Sequence, residues 1–201
     1  MVVGHRGHRS HPRHAAFSYR GDPEYLAGVG GFVRAALTRD EAVLVAVPGR
    51  RIGQLRDYLD GAARRVMFTD MTRLGRNPAR IMSAVQNLLG RHPGRAVSYV
   101  GEPAWPGRGP PELREAMRHE AMINLACADL PADILCPYDA AGLPAAVLAA
   151  AAHTHPVLAG PDGSRASGAY LGAGQVPAEC QRPLPAPPPA AVRLGYAGDL
   201  R

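Results

Sequence analysis

Lysine is missing from this sequence: all 23 basic residues are arginine, against 17 acids. Its three cysteines, Cys127, Cys136 and Cys180, are odd in number and form no C-x-x-C pair, which argues against a disulfide framework or a zinc ribbon and points to a reducing, cytoplasmic setting. No apolar run approaches the ~20 residues that a membrane span requires, so no membrane partner is expected. The amino terminus, MVVGHRGHRSHPRH, lacks the apolar stretch and small-residue cleavage site of a secretory signal. Three catalytic signatures are also absent. No G-x-x-x-x-G-K-[ST] follows the first predicted strand, where YRGDPEY stands instead; His119-Glu120 is followed by Ala-Met-Ile rather than completing H-E-x-x-H; and there is no G-x-S-x-G. The chain is therefore expected not to be an enzyme, and no catalytic residue, metal ligand or cofactor is assigned.

With 46% hydrophobic and 20% charged residues, the composition is that of a soluble globular protein with one core and two tails. The net charge of +6 lies largely outside that core. Residues 1–14 contribute +3, residues 161–201 contribute +1, and residues 15–160 are left with +2. So weak a charge on the folded part argues against a nucleic-acid footprint. His5, His8, His11 and His14 recur at every third position, but the surrounding composition reads as a disordered Arg/His-rich leader, residues 1–13, rather than a metal-wrapping segment. Six prolines between Pro177 and Pro189 read as a semi-rigid linker within 161–201, and AVRLGYAGDLR after it reads as the start of a further strand whose domain is missing.

Between the tails, residues 14–160, strand-like and helix-like segments alternate. Strands are predicted at 16–19, 42–47, 66–70 and 96–101 and in ILCPYD, the last ending at Pro137. Helices are predicted at 24–37, around Ile52, Leu55 and Leu59, from the Asn77-Pro78 cap to Gly90, at 111–128 and at 143–152. AVLVAV is apolar on both alternating sets, as a strand buried on both faces must be. This pattern predicts an α/β fold of three layers, a mainly parallel sheet with helices on both faces.

Ligands of such sheets bind outside the carboxyl ends of the strands. Tyr19, Asp70, Glu102 and Tyr138-Asp139 fall at those ends, with Arg76, Trp105 and Arg108 close behind. The helix at 111–128 adds a second signal. At 100° per residue, Leu113, Ala116, Met117, Glu120, Asn124 and Cys127 share one face, so a carboxylate and an amide lie within an apolar stripe and require partners. A neighbouring backbone, Arg76 or Arg108 is the expected partner; His119 is expected at the boundary, and Cys136 as a buried thiol.

The series YRGDPEYLAGVGGFVR, VLVAVPGRR, GRNPARI, GEPAWPGR, RHEAMINLA, CPYDAAGL and THP, in this order, resembles the MEDS domain, a sensory domain of methanogens, methylotrophs and a dichloromethane-responsive regulator. The resemblance spans about residues 14–156. It implies a RecA-like fold without a phosphate loop, and the binding of an unidentified small organic ligand. It also implies an output through an anti-sigma-factor or histidine-kinase-like ATPase partner. Carried over by motif, the candidate ligand-binding residues are Tyr19, Asp70, Arg76, Glu102, Trp105, Arg108, His119, Glu120, Asn124, Cys136, Tyr138, Asp139 and His155, with Asn77 chiefly a helix cap. Two other functions compete with this one: a metal-dependent enzyme or metal sensor drawing on His119, Glu120, Cys136, Asp139 and His155, and a protein-interaction module without a small ligand.

Overall fold

A computed structural model describes residues 13–181 and 186–192. The leader before Arg13 and most of the strand expected in AVRLGYAGDLR lie outside the described residues.

Among the described residues, seven strands form one sheet: β1 (Arg13–Tyr19), β2 (Ala42–Val47), β3 (Val66–Asp70), β4 (Val97–Gly101), β5 (Ala132–Asp139), β6 (Val157–Gly160) and β7 (Gly163–Ala166). Their order is β3-β2-β4-β5-β1-β6-β7. All pairings are parallel except the terminal β6–β7 hairpin. Six helices connect them: α1 (Gly21–Thr38), α2 (Gly49–Leu59), the single turn α3 (Met71–Leu74), α4 (Ala79–Arg91), α5 (Pro110–Ala126) and α6 (Ala145–Thr154).

The alternation of side chains along each strand divides the core in two. Ala15, Phe17 and Tyr19 of β1 face Tyr25, Val29 and Val33 of α1 and Leu55 of α2. Ala16 and the even positions of β5, Ile134, Cys136 and Tyr138, face α4, α5 and α6. The fold is therefore the three-layer α/β arrangement that the alternating pattern predicts. The chain runs from β1 through α1 toward β2, and later from β5 through α6 over β1 to β6. This reversal places a topological switch point beside β1, where ligands of doubly wound sheets bind.

Three local differences from the sequence reading have physical causes. First, β1 starts at Arg13 rather than 16, because β5 extends back to Ala132 and offers His14 a register partner in Ile134. Second, β5 continues through Pro137 to Asp139. Its pairing with β4 ends at Leu135, so Pro137 sits in an edge-like position, where a missing donor is tolerated. Third, the stretch after residue 160, read as linker, continues the fold. There β7 pairs with β6, the Leu171 N–H donates to the His153 carbonyl at 3.0 Å, and Val176 and Cys180 join the core beside α5.

Candidate functional site

Two buried polar clusters lie on opposite faces of the sheet. The first, under α5 and α6, gathers His14 of β1, Glu120 and Asn124 of α5, Cys136 and Tyr138 of β5, and His155 at the junction of α6 and β6. His14, Glu120, Cys136 and His155 are each no more than 3% exposed. Glu120 Oε2 lies 3.1 Å from His14 Nε2 and 3.0 Å from His155 Nε2, and Cys136 Sγ is 3.4 Å from His14 Nε2. The His155 contact has the distance of an ion pair but not the alignment of a hydrogen bond, so its Nε2 has no hydrogen-bond partner. The two imidazole centroids are 4.0 Å apart, and the Tyr138 ring meets His155 edge-on at 5.6 Å.

The outer ring nitrogens are anchored. Asn124 Nδ2 donates to the Thr154 carbonyl at 2.8 Å, which turns its Oδ1 toward His14 Nδ1 at 3.1 Å; His155 Nδ1 lies 2.8 Å from the Ala151 carbonyl. Both acceptors require an N–H, so both histidines carry a proton on Nδ1 and turn Nε2 toward Glu120. Burial by itself would raise the Glu120 carboxyl, but the two imidazoles facing it outweigh that and hold the carboxyl below the ordinary carboxylate range. Burial, reinforced by the neighbouring His14, brings His155 down to about 4. Burial also pushes the Cys136 thiol well up, and Glu120 adds to that.

An open cleft of about 450 Å³ adjoins this cluster, lined by Ala16, Ser18, Tyr138, Leu148, Leu158 and Gly160 among others. Tyr138 lines it with a hydroxyl that is buried and has no hydrogen-bond partner. A smaller cleft of about 210 Å³ reaches His14 and Asn124 beside Tyr170. Two larger clefts, of about 540 and 670 Å³, flank Arg64 near β3 and include none of the residues expected at a site.

The second cluster lies at the carboxyl rim, under α1 and α2. Glu102 accepts hydrogen bonds from the Tyr19 hydroxyl at 3.3 Å and the Tyr25 hydroxyl at 3.2 Å. Arg51 of α2 donates to Asp22 at 2.5 Å and stacks on the Tyr25 ring at 4.1 Å. Burial pushes the Glu102 carboxyl up to about 7, against the pull of Arg51 and the two hydroxyls. No buried side-chain polar atom of this cluster lacks a hydrogen-bond partner, and its tightest contacts join α1 to α2.

Of the residues expected at a site, Glu120, Asn124, Cys136, Tyr138 and His155 come together, and Tyr19 joins Glu102 in the second cluster. The others make none of the hydrogen bonds of either cluster, although His119 lies near Glu120 and Asp139 near Tyr19. Asp70 caps α3 by accepting from Thr72 N–H at 2.9 Å, and Asp139 accepts from the Ala141 and Gly142 amides at 3.0 and 3.1 Å. Arg76 is exposed. Arg108 holds the Pro103 and Gly75 carbonyls and stacks on Trp105 at 4.6 Å. His119 is half-buried, with its pKa lowered by burial. Neither Arg76 nor Arg108 partners Glu120, which sits about 15 Å along α5 from the end nearest Arg108; its partners are histidines. Four participants were missed: His14, Tyr25, Arg51 and Asp22. The readable sign for His14 was its even-position match with Ala16 and Ser18.

A family model described as "MEthanogen/methylotroph, DcmR Sensory domain" matches residues 13–156. The chain belongs to the MEDS family. The match contains every residue of the two clusters, and a sensory role is what the family description assigns to MEDS domains. No curated protein sequence matches the chain. Among solved structures, the fold is similar to that of an ATPase domain, with 12% identity, 74% of this chain and 68% of that chain covered, and a TM-score of 0.50. At that identity the likeness shows the fold alone, which is RecA-like. In this MEDS domain only Arg20 separates the end of β1 from the start of α1, which leaves no room for a phosphate loop. No helix among the described residues is long and apolar enough to cross a membrane.

Proposed function

We propose that this MEDS domain senses a small organic molecule, without catalysis of its own, in the cleft between α6, β1 and β6. One observation carries the reading: the Tyr138 hydroxyl is buried without a partner in the wall of that cleft. A buried hydroxyl without a hydrogen bond costs about 1–3 kcal/mol, a cost that a ligand with one polar group would offset. The remaining walls are mostly small and aliphatic, which suits a short carbon skeleton. The cleft also sits at the topological switch point, and α6 forms one side of it.

Binding would act by population shift. A ligand favouring the closed cleft draws α6 toward β1 and β6, and the movement passes through the β6–β7 hairpin to the residues beyond. The output we propose is a kinase-like ATPase of the anti-sigma-factor kind, as a separate partner or a linked module.

Thermal unfolding of the full chain against short alcohols, ketones, amines, carboxylates and halogenated alkanes tests the reading. A ligand at 100 times its Kd adds about 2.7 kcal/mol, so a saturable rise in Tm with the compound recovered unchanged is expected. No shift across the panel, or turnover of the compound, would overturn it.

A further inference from the structure

We infer that His14 Nε2, Glu120 Oε2, Cys136 Sγ and His155 Nε2 form a buried site for one divalent transition-metal ion of the zinc class. These atoms all lie within 4.8 Å of one another. Bonds of about 2.0–2.1 Å to nitrogen and oxygen and 2.3 Å to sulfur put the donors of a tetrahedral site roughly 3.3–3.6 Å apart. The observed separations of 3.0, 3.1 and 3.4 Å are already near that, so modest rotations would complete the coordination.

Ring orientation points the same way. With both Nδ1 atoms anchored outward, both Nε2 atoms are turned toward one carboxylate oxygen. A cation at that point would meet two ring nitrogens and the carboxylate at once. His155 Nε2, fully buried and without a hydrogen bond, faces that point. A second ring of partners is also in place: Asn124 holds His14, and the Ala151 carbonyl holds His155. Outward hydrogen bonds of this kind fix the orientation of metal-binding histidines.

The donor set selects the ion. One thiolate and two imidazoles suit zinc and its neighbours, whereas calcium and magnesium require oxygen. A divalent charge balances the Cys136 thiolate and the Glu120 carboxylate, leaving no net charge to bury. The ion would clamp β1, α5, β5 and the α6–β6 junction together. This inference is independent of the organic ligand, and either can fail alone.

The test uses the full chain with His5, His8 and His11 changed to Ala, so that the leader does not compete, after treatment with a chelator. Cobalt is titrated as the probe. One equivalent should bind, with near-ultraviolet sulfur-to-cobalt charge-transfer absorption and intense visible bands of a tetrahedral ion, and zinc should displace it. Cys136→Ser should abolish the charge-transfer band. Asn124→Ala should keep it while weakening affinity about 10–100-fold. X-ray absorption of the zinc-loaded chain needs no cluster variant, and should show one sulfur at about 2.3 Å with nitrogen and oxygen at about 2.0–2.1 Å. No stoichiometric uptake, a charge-transfer band that survives Cys136→Ser, or a shell without sulfur would overturn the inference.

Discussion

Glu102 and Glu120 are both buried carboxyls, yet their surroundings drive them in opposite directions. At Glu102 burial prevails over the Arg51 charge and two hydroxyls; at Glu120 two imidazoles prevail over burial. Glu102 titrates at about 7 when folded, against 4.5 for an ordinary glutamate, so between those values the folded chain holds a proton that the unfolded chain has released. Its contribution to stability is full below pH 4.5 and is lost as pH rises to 7. His155, lowered to about 4 from 6.5, works with the opposite sign, favouring the fold as pH rises through that range. The effect of Glu102 is therefore read as a difference. Between pH 4.5 and 7, wild type should lose about 3 kcal/mol of stability relative to Glu102→Gln, as measured by urea unfolding at a series of pH values. At this scale the sequence was partly legible. The apolar stripe of α5 exposed Glu120 and Asn124 as groups needing partners, since helical periodicity is local. The partners were hidden, because His14 and His155 arrive from positions 106 residues before and 35 after Glu120 in a chain whose topology alone joins them. The Arg/His-rich leader also masked His14 as one of its own.

Among the elements, α1 carries two contrasting glycines. A Cβ on the half-buried Gly28 would stand 2.0 Å from Cζ of the buried Phe17, whereas one on the exposed Gly31 would meet nothing within 4 Å. Gly28→Ala should cost about 1–3 kcal/mol by overpacking, and Gly31→Ala should add about 0.5–1 kcal/mol through helix propensity. Thermal unfolding of the two variants distinguishes a helix seated closely on β1 from one with slack. The elements themselves were the most legible part of the sequence, because doubly buried strands such as AVLVAV and stripes such as Ile81, Val85 and Leu88 follow directly from sheet and helix periods. The boundaries at Arg13 and Asp139 were not legible, since they depend on how far a neighbouring strand extends.

For the whole molecule, the β6–β7 hairpin and the residues after it decide how a signal would leave the domain. Ending the chain at Gly160 removes β7, the Leu171 bond to His153, the Ser167 bond to Ala152 and the packing of Cys180. Compared with a chain ending at Gln181, it should lose about 2 kcal/mol or more, or roughly 4–8 °C in Tm. Equal stability would mean that these residues are carried rather than integrated. The prolines between Pro177 and Pro189 suggested a linker within 161–201, and tertiary packing prevailed over composition as far as Cys180.

Tyr138→Phe addresses the sensing site most directly, because it deletes one oxygen and keeps the ring against His155. Calorimetric titration of wild type and variant with a compound that stabilises the full chain, together with the Tm of each alone, is the measurement. The expected result is a variant at least as stable as wild type without ligand, having lost an unpaired buried hydroxyl, yet with binding weakened about tenfold or more, the equivalent of one lost hydrogen bond of about 1.4 kcal/mol. Equal affinity in the two proteins would contradict the account, because the sensed molecule would then bind without the buried hydroxyl that the cleft leaves unpaired.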